Sequence, residues 1–82
     1  MKHRELIHSL STLNQLPATK IDAVLETLSH VIQNELMKGN SIQIDNIGTF
    51  HVMDSNNMND NKRVKLKAHA TLKAAINEEL IE

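Results

Sequence analysis

Five cations fall within the twelve residues from Lys62 to Lys73, namely Lys62, Arg63, Lys65, Lys67 and Lys73, and no acidic residue lies between Asn61 and Asn77. Arg63, Lys65 and Lys67 alternate with Val64, Leu66 and Ala68. In an extended strand this pattern puts three positive charges on one face and the apolar set on the other. A row of cations without an interposed carboxylate is chemistry for holding phosphates, and it holds them by charge without reading a base sequence. The competing reading is a solvated edge strand, whose lysines block edge-to-edge pairing.

The other chemistry-bearing residues point to fewer things. The five histidines, His3, His8, His30, His51 and His69, lack the i, i+4 pairing of common zinc helices, and no cysteine supports them, so no metal site is expected. They read as surface or half-buried residues whose protonation mildly strengthens anion binding as pH falls. With two glycines in the chain there is no phosphate-cradling glycine loop, and the serines sit in no nucleophile elbow; neither catalysis nor a cofactor is expected. Phe50 is the only aromatic, which excludes a base-stacking platform. Met37, Met53 and Met58 read as gap-filling core or loop positions. The net charge of −1 argues against tight DNA binding unless the positive charge is clustered.

The elements that must position the cations are legible from periodicity. Leu6, Ile7, Leu10 and Leu13 predict an amphipathic helix over Lys2 to Asn14. Pro17 opens a second helix, running to about Lys38, with Ile21, Val24, Leu25, Leu28, Val31, Ile32 and Leu36 as its stripe. Lys38-Gly39 closes it, a cation in the last turn followed by the residue best suited to a left-handed cap. Ser41 to Asp45 and Thr49 to Val52 alternate with period two and form a hairpin, where Asn46 and Gly48 supply positive φ. Asp54 to Asn61 reads as a loop, Arg63 to Ala68 as a third strand, and Leu72, Ala75, Ile76 and Leu80 as a short final helix. Phe50 shares a face with Val52, as a core anchor.

Eighty-two residues make a single α+β domain, 1–82, small enough to need a partner where disulfides and metal are lacking. No apolar run approaches a membrane span. The start, Met1-Lys2-His3-Arg4-Glu5, is basic but leads into a mixed amphipathic stretch, so no signal peptide is expected and the protein is read as cytoplasmic.

Glu5-Leu6-Ile7, Asp22-Ala23-Val24-Leu25, Lys38-Gly39, Ile47-Gly48-Thr49-Phe50 and Leu72-Lys73, in that order, resemble the HU/integration host factor family of bacterial histone-like proteins over nearly the whole chain. The most specific element is Gly48-Thr49-Phe50, about ten residues after a helix that ends in Lys-Gly. The resemblance implies an intertwined dimer, with a helical dimerisation part at about 1–40, and a sheet and final helix at about 41–82. Its dimer core would include Leu25, Leu28, Val31, Ile32, Ile44 and Phe50. It also implies nucleoid-associated DNA binding by β-arms in the minor groove, as HU and integration host factor themselves do with an apolar wedge.

Three features depart from the family pattern. The arm is shortened to about 54–61. The wedge proline is missing, since Pro17 starts a helix, and Met53 and Ser55 stand where arginines usually follow the Gly-Thr-Phe strand. His69 replaces the glycine that usually precedes the final helix. The expected function is weak, sequence-nonspecific duplex DNA binding by Lys62, Arg63, Lys65, Lys67 and Lys73 of a homodimer, without strong bending. The alternative is an HU fold that has lost DNA binding and acts through protein contacts, or by pairing with another HU-family subunit.

Overall fold

A computed structural model describes residues 1–53 and 62–81, the last four by backbone alone. The element order is α1 (His3–Asn14), α2 (Ala18–Met37), β1 (Ile42–Ile44), β2 (Gly48–Met53), β3 (Arg63–Ala68) and α3 (Ala70–Ile81). The order and type of every expected element hold. The expected arm, Asp54 to Asn61, lies outside the described residues.

The chain divides into two compact units, Met1–Val31 and Ile32–Glu82. In the first, the Glu5 carboxylate accepts from the Lys2 backbone N–H at 3.1 Å, which satisfies one donor freed at the start of α1. Gln15, at φ 55°, ends that helix in the left-handed region. Pro17 lends its carbonyl to the N–H groups of Lys20 and Ile21 at the start of α2, where a proline's missing donor costs nothing. His3 Nε2 stands 3.2 Å from Asp22 Oδ1, joining α1 to α2.

In the second unit, α2 ends in a left-handed cap. Gly39 has φ 84°, its N–H donates to Leu36 C=O at 3.0 Å, and the Asn40 N–H donates to Glu35 C=O at 2.9 Å. Those two bonds make a Schellman motif, satisfying carbonyls that the helix end leaves open. The strands form one antiparallel sheet in the order β1-β2-β3. Between β1 and β2 the Ile47 N–H closes on Ile44 C=O at 3.1 Å, and Asn46 takes φ 68°, a value asparagine tolerates at the third position of such a turn.

Gly48 is buried, and its backbone has φ 152°. A Cβ built there would lie 2.4 Å from the Lys67 carbonyl oxygen and 2.9 Å from Leu66 Cδ1. The glycine is required twice over, by its dihedral and by the close approach of β3.

Among the described residues neither unit encloses a hydrophobic core. Among the described residues no apolar side chain is fully buried. On α2, Val24 is 64 % exposed, Leu28 37 % and Val31 44 %, and on β3 Val64 is 63 % exposed. Leu25, Ile32, Ile44 and Phe50 are half-buried. Two expectations need correction. Leu13 does not join the buried side of α1 and stands 81 % exposed, in the last turn before the chain reverses; Met37, the final residue of α2, fills no core gap and is 82 % exposed.

Candidate nucleic-acid interface

The register of the sheet decides which side chains share a face. β2 pairs with β3 through Thr49↔Lys67, Phe50↔Leu66, His51↔Lys65, Val52↔Val64 and Met53↔Arg63. β1 pairs with β2 through Ile42↔Phe50, Gln43↔Thr49 and Ile44↔Gly48. Since successive residues alternate across a strand, Gln43, Thr49, His51, Met53, Arg63, Lys65 and Lys67 occupy one face. Ile42, Ile44, Phe50, Val52, Val64, Leu66 and Ala68 occupy the other. Charge and apolar surface are sorted to opposite sides of the same three strands.

Along β3 the cations recur every second residue, about 7 Å apart. Lys65 and Lys67 line a shallow depression together with His51, Met53 and Lys73, so the first turn of α3 adds its lysine to the strand's row. Lys62 is exposed just before β3 begins. Among the described residues no ion pair engages Lys62, Arg63, Lys65, Lys67 or Lys73. The whole chain carries nine Lys and Arg and ten Asp and Glu. Setting aside the five cations of 62–73, four remain against ten acids, so the basic stretch of +5 sits within a remainder of −6. The small net charge conceals a strong asymmetry.

His69 fixes where α3 starts, and with it the position of Lys73. Its Nδ1 accepts the Thr71 backbone N–H at 3.0 Å. Its carbonyl accepts from Leu72 and Lys73, and its own N–H donates to Ile47 C=O at 2.9 Å. It is thus the N-cap of α3, occupying the role that Ser, Thr, Asp or Asn usually fills. Its φ is not positive, which explains why no glycine is needed there. The sequence places His69 among ordinary histidines, because imidazole is not a customary capping group.

The structure sets Arg63, Lys65 and Lys67 on one face, as the alternation expects, brings Lys73 beside Lys65 and Lys67, and adds His51, which sequence reasoning passed over. The signal was available in parity: His51 lies two residues from Thr49 and from Met53, on the face opposite Phe50. Among the described residues no group of three metal-binding side chains occurs, and no helix is long and apolar enough to cross a membrane.

Comparison with known proteins agrees with this geometry. Residues 1–77 match the family HU-HIG, described as an HU domain fused to a wHTH, Ig or glycine-rich motif. A valine-to-isoleucine mutant of HU from Thermotoga maritima superposes with a TM-score of 0.79 at 28 % identity, covering 93 % of this chain and 99 % of that one. HU from Thermotoga maritima superposes with a TM-score of 0.77 at 25 % identity, covering 93 % and 98 %. A search of curated proteins finds no match. Three helices, a three-stranded antiparallel sheet and a family match spanning nearly every residue lead to one conclusion: this chain belongs to the HU-HIG family of HU domains.

Proposed function

We propose that two copies of this chain form an HU-like dimer that binds duplex DNA weakly and without sequence preference, through the faces carrying Lys62, Arg63, Lys65, Lys67 and Lys73. The observation that carries the reading is the segregation of charge in the sheet. Arg63, Lys65 and Lys67 share one face with no ion-pair partner among the described residues, and phosphate binding by charge needs no more than such a row. The dimer rests on the exposed apolar residues Val24, Leu28, Val31 and Val64, since a domain of this size cannot leave that much apolar surface in water and remain stable. Leu25, Leu28, Val31, Ile32, Ile44 and Phe50 are the core such a partner completes. The place of action is the nucleoid in the cytoplasm.

The complex does not bend DNA sharply. Intercalative kinking uses an apolar wedge at an arm tip, and only eight residues, Asp54 to Asn61, connect Met53 to Lys62, with no proline among them.

A fluorescence-anisotropy titration of a short labelled duplex at rising salt tests the reading. Four to eight phosphate contacts give a slope of log K against log salt of about −4 to −7, at about 0.9 per phosphate. Lys65→Glu with Lys67→Glu removes four of a dimer's cations and abolishes retention. A folded dimer that fails to bind at low salt would refute the proposal and favour a fold kept for protein contacts or for pairing with another HU-family subunit.

A further inference from the structure

We infer that His51 is a proton-dependent phosphate contact at the centre of the basic face, so that this protein takes up a proton as it binds DNA. The inference rests on the DNA-binding reading above and names a regulation of the same site.

His51 lies on the central strand, directly paired with Lys65, and lines the depression that also holds Lys67 and Lys73. It is half-buried between its strand neighbours, whereas Lys65 and Lys67 are exposed. Among the described residues every charged group on its side of the sheet is a cation: Arg63, Lys65 and Lys67 from β3, and Lys73 from α3. The face of β1 presents Gln43, which is uncharged, and Asp45 lies in the turn beyond that strand's end. No carboxylate on the sheet is placed to hold an imidazolium. A phosphate oxygen seated among Lys65, Lys67 and Lys73 supplies the missing anion, and an imidazole beside it binds a proton and donates to it.

The other described histidines have different surroundings. His3 stands against Asp22, His69 caps α3 through its ring nitrogen, and His8 and His30 belong to the helices α1 and α2. Only His51 combines an ionisable ring with the cationic face.

The test is the same duplex titration at about pH 8 and about pH 5.5, on either side of the ordinary imidazole range, for the unchanged chain, His51→Gln and His51→Lys. Affinity should rise on acidification by about three- to fivefold per chain, the scale of one solvent-exposed charge contact. The salt slope should steepen by about 0.9 per chain. His51→Gln should lose most of this gain, and His51→Lys should bind tightly at both pH values. If His51→Gln keeps the full acid gain, the inference is wrong and the DNA reading stands. Absence of binding by the unchanged chain at both pH values overturns both.

Discussion

Replacing Gly48 by alanine isolates the cost of the tightest contact in the sheet. The added methyl group would meet the Lys67 carbonyl oxygen at 2.4 Å, Leu66 Cδ1 at 2.9 Å and Ala68 Cα at 3.1 Å. Two of those three atoms are backbone, so rotating a side chain cannot relieve the clash. A side-chain-bearing residue held at a positive φ of this kind costs about 1–3 kcal/mol, and forcing an extra methyl into a filled space costs about 1–3 kcal/mol more. The sum is about 2–6 kcal/mol, a large part of the 5–15 kcal/mol that stabilises an ordinary domain.

Gly39→Ala is the matched control. Gly39 also has positive φ, 84°, but nothing lies within 4 Å of its added Cβ, so only the backbone cost of about 1–2 kcal/mol applies. Urea unfolding followed by circular dichroism, at equal protein concentration because dimers unfold in a concentration-dependent way, should rank Gly48→Ala well below Gly39→Ala. Thermal midpoints should differ in the same order, by about 4–8 °C per kcal/mol. Equal destabilisation by the two substitutions would show that β3 gives way at no cost, refuting the claim that the glycine is required by crowding.

Two further outcomes follow from the exposed side chains and the cap. Val24→Asp would change stability by no more than about 0.5 kcal/mol if α2 faced water in the working protein; a partner covering Val24 makes the same change expel the second chain, and light scattering should report a monomer. His69→Ala removes the acceptor for the Thr71 N–H and should lower stability by about 1 kcal/mol with loss of α3 helicity, whereas His69→Asp should retain both, since a carboxylate accepts the same bond and suits the helix N-terminus. Chemical denaturation of the three proteins separates these outcomes.

Element order was legible in the sequence because each boundary carries a local cause. Pro17 and Lys38-Gly39 bracket α2, Asn46 and Gly48 take the positive φ their types permit, and the alternation from Arg63 to Ala68 sorts charge from core. What escaped the sequence depends on pairing between segments. Periodicity puts Leu13 with the apolar stripe of α1, and residue type reads Met37 as a gap-filler, but both stand at helix ends and are largely exposed. Parity put His51 opposite Phe50, but its place beside Lys65 came only with the pairing of β2 and β3. Residue type gives His69 no capping role, and the bond from the Thr71 N–H to its ring nitrogen supplies one. The half-buried state of Leu25, Ile32, Ile44 and Phe50 likewise has no signature in one chain's pattern, which marks a residue as apolar without saying whose surface will cover it.

The contact at Gly48 has a bearing on how this protein can vary. A hairpin's register is ordinarily dictated by the turn that joins its strands, so that lengthening the turn risks a slip. Between β2 and β3 a steric key sits at the opposite end, where Gly48 faces Ala68 and approaches the Lys67 carbonyl. A slip of one residue would press a side chain into a gap only glycine fits, and would carry Arg63, Lys65 and Lys67 through to the apolar side. The face that carries the cations is thus keyed from the Gly48 end of the strand pair, by a contact to which no charged side chain contributes.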